Sequence, residues 1–277
     1  MAKAKTKKQT KGKPLFRGLP WFAWLLIALA IVGVVVFVRI HPLGQPAPDN
    51  LAKPGAAIVD QLSSFQENED FITEVTGELE DYGFEVDIYQ GDKITVDLYR
   101  QLPSYGYNLI IFRAHSGLIG SKEDRIERTC LFTNEPYSEM SHVAEQLGDQ
   151  LAMARIDEYH PWVFGIGDEF VTQSMEGEFD NAVIIMMGCS CLYLPDLATA
   201  FVDKGASVYL AWDASVELDY VDRATLYLTG QLCSGNLTVK EAVNNTMNVI
   251  GPDLKHQAVL QYYPSGKGDK TVGELIK

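Results

Sequence analysis

The chain has 277 residues, enough for one large domain with an appendage, and carries 23 Lys/Arg against 37 Asp/Glu for a formal net charge of −14. The charge is split by position: residues 1–40 hold eight basic and no acidic side chains, whereas residues 41–277 hold 15 basic against 37 acidic, a net of −22. A body that acidic repels nucleic acid and anionic lipid, and no basic patch with interleaved aromatics interrupts it, which excludes a nucleic-acid partner.

Residues 19–38, LPWFAWLLIALAIVGVVVFV, form an uncharged run of 20 residues. That is long enough to cross ~30 Å of hydrocarbon as a helix. Lys3, Lys5, Lys7, Lys8, Lys11, Lys13 and Arg17 precede it and only Arg39 follows it directly. The positive-inside rule then keeps residues 1–18 as a cytoplasmic tail, sets 19–40 in the bilayer as an uncleaved signal anchor, and exports the rest. The expectation is a single-pass protein of the cell membrane. Residues 41–54, HPLGQPAPDNLAKP, hold four prolines and read as a stiff spacer.

Short apolar runs alternate with helical patterns over residues 55–277, which predicts an α/β domain with a mostly parallel sheet and helices on both faces. AAIVDQL (56–62) is the first strand. Phe71, Ile72, Val75, Leu79 and Tyr82 then recur at helical spacing before Gly83. FEVDIY (84–89) alternates in polarity and belongs near a sheet edge, whereas YNLIIFRA (107–114) is apolar enough to be central. Residues 138–153 predict a helix with Met140, Val143, Leu147 and Leu151 on one face. WVFGIGDEF (162–170) predicts an extra strand or hairpin arm, its Gly165-x-Gly167 pair serving turn geometry and no phosphate loop. AVIIMMG (182–188) and ASVYLAW (206–212) are the fourth and fifth strands. Helices follow at 197–204, at 222–233 and after the capping box Thr238-x-x-Glu241.

In an open parallel sheet, reactive side chains gather beyond the carboxyl ends of the strands. His115 follows YNLIIFRA and Cys189 follows AVIIMMG. If those strands are neighbours, the two side chains emerge ~5 Å apart. Ser116, Gly117, Gly188 and Ser190 surround them and leave room for a substrate backbone. Cys130, Cys191 and Cys233 are the remaining cysteines, too few for a disulfide scaffold. No cofactor motif is found, and Cys189-x-Cys191 with His115 lacks a nameable further ligand for a metal. His41, His142, His160 and His256 have no partner that the sequence identifies.

The blocks LIIFRAHSG and VIIMMGCSC resemble those of the caspase-like cysteine peptidases, a superfamily that includes legumain, gingipain, clostripain, separase and the CHAT peptidases. LATAFVDKGASVYLAWDASV (197–216) is similar to the helix, strand and tryptophan that follow the nucleophile in CHAT and gingipain-type domains. The resemblance covers roughly residues 56–250 and extends to uncharacterised membrane-anchored archaeal and bacterial proteins. It implies a three-layer, flavodoxin-like fold and acyl-enzyme chemistry on a peptide or protein substrate. Cys189 would be the nucleophile and His115 its proton shuttle, with the N–H groups of Cys189 and of Ser116 or Gly117 holding the oxyanion. Asp60 would either orient the His115 imidazole or cap a turn through Ser63 or Ser64. Asp213 and Asp219 would either line a pocket for Lys or Arg before the scissile bond or belong to a solvated acidic loop. The family's glycine directly after the histidine is Ser116 here, and the long interval to Cys189 implies an insertion over 138–170. The alternatives from other classes are a catalytically inactive binding or sensor domain and a thiol–disulfide protein using Cys189 and Cys191.

Overall fold

The computed structural model describes residues 53–120 and 127–277. The basic tail, the apolar span at 19–40 and all but the last two residues of the linker lie outside them. Among the described residues no helix is long and apolar enough to cross a membrane.

The strands are β1 (Gly55–Asp60), β2 (Glu85–Gln90), β3 (Leu109–Arg113), β4 (Ser116–Gly120), β5 (Glu127–Pro136), β6 (Leu151–Ala154), β7 (Val163–Ile166), β8 (Val183–Met186), β9 (Val208–Trp212) and β10 (Leu260–Tyr263). The helices are α1 (Glu69–Tyr82), α2 (Val96–Gln101), α3 (Val143–Leu147), α4 (Asp168–Gln173), α5 (Asp196–Asp203), α6 (Leu218–Cys233), α7 (Val239–Val249) and α8 (Val272–Leu275).

Six strands form the main sheet in the order β10-β9-β8-β3-β1-β2, parallel throughout except for β10, which runs antiparallel to β9. The middle strands β3, β8 and β9 are buried at every residue, as their unbroken apolar runs require when helices cover both faces. On one face Ile110, Phe112, Ile184 and Met186 pack against Tyr99, Phe170, Leu197 and Phe201 of α2, α4 and α5. On the other, Leu109, Ile111, Val183 and Ile185 pack against Phe71, Val75, Val221, Leu228 and Val239 of α1, α6 and α7. The molecule is thus a mixed α/β structure of three layers. Local signals hold the helices in place: Asn68 caps α1, Gly83 ends it at φ 113°, and Thr238 with Glu241 closes a capping box on α7.

A second, antiparallel sheet in the order β4-β5-β7-β6 occupies the interval between β3 and β8. The helix expected over 138–153 is largely replaced by it. Only Val143–Leu147 is helical, Leu151–Ala154 is a strand, and Met140 and Leu147 are 86% and 83% exposed. The i, i+4 spacing was real, but tertiary pairing with β7 overrode it. Gly165 is also differently employed: it lies inside β7, where a Cβ would come within 3.2 Å of both Cys130 Sγ and Ala154 Cβ. Close strand packing, not a turn, excludes a side chain there.

Candidate active site

β3 and β8 are neighbours, paired from Leu109–Val183 to Phe112–Met186. The Met187 N–H donates to Phe112 O (2.9 Å), and beyond this last pairing the chain runs on to His115 from β3 and to Cys189 from β8. Both residues line one cleft of about 670 Å³ at the carboxyl edge of the main sheet, walled on its far side by the second sheet. Ser116, Gly117, Cys130, Met153, Arg155 and Trp162 contribute to its lining.

His115 is half-buried and fixed from several directions. Its backbone N–H donates to Gln61 Oε1 (2.9 Å) and its carbonyl accepts from Phe132 N (2.9 Å). Gln61, fully buried, is anchored in turn by its Nε2, which donates to Asn134 Oδ1 (2.8 Å). The ring stands edge-on to Phe65 at 5.8 Å and tilted to Phe132 at 6.1 Å. Burial, with smaller contributions from His160 and Arg113, lowers the His115 pKa to about 4, so the imidazole is neutral near pH 7.

Cys189 is held differently. The Val216 N–H donates to its sulfur (3.5 Å), and the thiol faces Val216 O at 3.7 Å. Among the described residues no hydrogen bond joins this sulfur to the imidazole. Ser190 follows in the left-handed region at φ 55° and donates its N–H to Ala214 O (2.9 Å), so the chain turns sharply just after Cys189. The turn sends the two neighbouring cysteines to opposite faces. Cys189 packs against the α1/α6 side, while Cys191 is fully buried on the α2/α5 side. Burial raises the Cys191 thiol to about 12. Cys130 and Cys233 are raised to about 12 by the same cause. Among the described residues no three His, Cys, Asp or Glu side chains converge to hold a metal. The start of α6, at Leu218, lies two residues after the Val216 N–H that bonds the Cys189 sulfur. α5 begins only at Asp196, whose carboxylate accepts from Thr129 N (2.6 Å) and Thr129 Oγ1 (2.9 Å).

The ladder between β4 and β5 separates the two candidate oxyanion donors. Because Phe132 N bonds to His115 O, Ser116–Leu131 is a non-hydrogen-bonded pair, and the Ser116 N–H points away from β5. The Gly117 N–H points into the ladder at Cys130, whose thiol it acts to lower against burial. The Cys189 N–H has no partner among the described residues.

The carboxylates considered from sequence sit elsewhere. Asp60 is fully buried, pairs with Arg113 Nη1 (2.9 Å), accepts from Gln90 Nε2 (3.2 Å) and caps the short helix Gln61–Ser64 through Ser63 N (3.0 Å). It makes no bond to the imidazole; Gln61, one residue on, holds the histidine instead. Asp213 accepts from Val259 N (2.8 Å) and Gln261 Nε2 (2.9 Å) beside β10, and Asp219 accepts from Gln66 Nε2 (2.9 Å). Neither lines the cleft, although Ser215 of the same loop does.

Sequence reading passed over three contributors. Arg113 is fully buried, bound by Asp60 on one side and by both Asp222 oxygens on the other (2.9 Å each), with its guanidinium 5.6 Å from the Phe71 ring. An arginine inside the apolar run LIIFRA was its available signal, since a charge in such a strand demands buried partners. Phe65 also faces His160 at 5.3 Å, and His160 Nδ1 lies 2.7 Å from Asp157 Oδ1. Arg155 lies over the Trp162 ring at 4.3 Å. Nothing local in the sequence marks these two contacts, because both depend on how the second sheet docks.

No family model and no curated protein matches the sequence. Among solved structures, the Arg-specific cysteine proteinase gingipain R (RgpB) is similar with a TM-score of 0.45 and 12% identity, over 72% of this chain and 42% of that one. The complex of Porphyromonas gingivalis RgpB pro- and mature domains gives 0.45 and 12%, over 72% and 43%. The chain spans less than half the length of either, and the chemistry rests on the geometry above.

Proposed function

We propose that this chain is a membrane-tethered cysteine endopeptidase of caspase-like type, with Cys189 and His115 as its catalytic pair. The observation that carries the reading is the shared cleft: two reactive side chains, each just beyond the carboxyl end of one of two adjacent parallel strands, line one space at the edge of the sheet. In the reaction, Cys189 Sγ bonds to the substrate carbonyl carbon while its proton passes to the neutral His115 imidazole. The tetrahedral oxyanion is held by the N–H groups of Cys189 and Ser116. Collapse breaks the C–N bond and His115 protonates the leaving amine; water then attacks the thioester with His115 as base, and the C–S bond breaks to release the carboxylic acid and return the proton to Cys189. The Val216 N–H lies where it supports a developing thiolate.

Tethering rests on the apolar run at 19–38 and the basic residues before it, which imply an extracytoplasmic domain. Proteinase K added to intact cells is expected to remove the domain and spare the N-terminus.

The test of chemistry is peptide turnover by the wild-type protein beside Cys189→Ala and His115→Ala. Loss of turnover in both, with folding retained, supports the assignment; full activity in His115→Ala ends it. The second reading is a catalytically inactive binding domain, favoured by the pairing of the Cys189 sulfur with Val216 instead of the imidazole.

A further inference from the structure

The Cys189 sulfur is set by a chain of contacts that begins outside the cleft. Residues 212–217 lie between two other segments and are bonded to both. On one side they hold the loop of the cysteine: Ser190 N donates to Ala214 O (2.9 Å), Leu192 N to Trp212 O (2.9 Å), and the Val216 N–H to Cys189 Sγ (3.5 Å). On the other side they meet the loop between α7 and β10, where Asp253, only 1% exposed, is the fixed point. Its Oδ2 accepts from Glu217 N (3.1 Å), and its Oδ1 accepts from Lys255 N (2.9 Å) and His256 N (2.6 Å). Its own N–H donates to Ala258 O (3.2 Å), which pins the residue through its backbone as well. Burial works to raise this carboxyl, but the three N–H groups outweigh it and hold it below the usual carboxylate range. A second clasp joins the same segments at the surface. Glu217 Oε1 accepts from Lys255 Nζ (2.6 Å) and lies 3.2 Å from Nε2 of His256, a histidine for which the sequence offered no partner. Val216 and Glu217 share a peptide bond, so the N–H aimed at the sulfur and the N–H held by Asp253 are one residue apart.

We propose that Asp253 is a positioning residue for the nucleophile: by fixing the Glu217 N–H it aims the neighbouring Val216 N–H at Cys189 Sγ. The inference rests on the peptidase reading for the thiol's part in turnover, while the contact with the sulfur stands without it. Asp253 works through two backbone groups and lies outside the lining of the cleft. An N–H directed at sulfur stabilises the thiolate more than the thiol, and the bond weakens steeply as its aim is lost. A carboxylate suits this place because it accepts three N–H bonds at once, on two oxygens. In Asp253→Asn the single amide oxygen can serve Lys255 and His256, which sets an NH2 group against the Glu217 N–H, donor against donor.

Thiol reactivity and turnover are measured separately in the full-length protein, which keeps the two readings apart. Alkylation of Cys189 by iodoacetamide is followed across pH by mass mapping, and cleavage of fluorescein-labelled casein gives kcat and KM. Asp253→Asn is expected to alkylate about tenfold more slowly at pH 7, its profile moved about one pH unit toward alkali. Loss of the Asp253 charge alone would move the profile toward acid, so the sign separates aim from charge. In turnover, kcat is expected to fall about tenfold with KM nearly constant. Glu217→Pro tests the same link from the other side, since φ at Glu217 is −77°, which suits proline, and proline has no N–H for Asp253. It is expected to alkylate about fivefold more slowly than Glu217→Ala, which loses the same carboxylate but keeps the N–H. If Asp253→Asn fails to fold, this pair decides alone. Thr238→Ala removes the cap of α7, lowers stability away from the loop, and should leave the profile in place. An unmoved or acid-shifted profile in Asp253→Asn, equal rates for Glu217→Pro and Glu217→Ala, or the same alkaline shift in Thr238→Ala overturns the inference. An alkaline shift in Asp253→Asn beside a wild type that cleaves nothing sinks only the peptidase reading; turnover with an unmoved profile sinks only this one.

Discussion

The Ser116 hydroxyl donates to the Cys189 carbonyl at 2.5 Å. The loop that carries the histidine is thereby fastened to the loop that carries the cysteine, and the tie accounts for the serine that follows His115. Gly188 sits against it: a Cβ there would lie 2.9 Å from Ala114 O and collide with the Ser116 side chain. Ser116→Ala is expected to fold yet lose about tenfold in kcat/KM, as expected when a reacting pair is no longer held in register. Gly188→Ala is expected to lower stability by about 1–3 kcal/mol through overpacking, read from urea unfolding.

The buried arginine gives a second expectation. Arg113→Met leaves Asp60 and Asp222 as unpaired buried carboxylates, and breaking such a network costs about 3–5 kcal/mol. Adding Asp60→Asn and Asp222→Asn should recover part of that loss, because the uncompensated charge is then gone. Denaturant midpoints of the single and triple variants decide it.

The four thiols should react in a fixed order. Iodoacetamide is expected to label Cys189 in the native protein, with Cys130, Cys191 and Cys233 labelled only on unfolding, since burial raises each of those three to about 12. Peptide mass mapping after timed alkylation reads the order. Native labelling of Cys191 ahead of Cys189 contradicts the assignment.

Stability should depend on pH through His115. Its folded pKa, lowered to about 4 by burial, lies below the 6.5 of an exposed histidine. Between those values the unfolded chain binds the proton and the folded chain does not, so this residue's contribution to stability falls as pH drops from 6.5 to 4. It is constant above that window. His115→Gln should remove this part of the slope, and the wild-type advantage over the variant should shrink across the window in parallel urea titrations.

Much of the scaffold was legible in order of occurrence. The five apolar runs became β1, β2, β3, β8 and β9, and the helix signals at Gly83 and Thr238 mark a real end and a real start. Edge placement of β2 followed from its alternating polarity. β10 was missed, because LQYY is short and its pairing is antiparallel to a strand that precedes it by a long helical excursion. Of the second sheet, β7 was expected as an extra strand or hairpin arm, β6 was read as the end of a helix, and β4 and β5 were not read, because their pairing partners are set by tertiary contacts. At the site, His115 and Cys189 could be nominated, but their supports could not. Gln61, Phe65, Asn134 and Arg155 carry no pattern that sets them apart from other polar or aromatic residues in a loop.

The amino-acid order alone determined which segments are buried strands, where helices begin and stop, and that an imidazole and a thiol follow two central strands. Those are local properties, written in apolar periodicity and caps, which report burial and backbone geometry one segment at a time. The tertiary structure decided which strands are adjacent, and that Asp60 answers Arg113 and not His115. It also decided that Cys191 turns away from Cys189 and that Arg155 joins the cleft. Each of these is a choice among distant partners, settled by charge compensation and packing across the sheet, and no local pattern encodes such a choice.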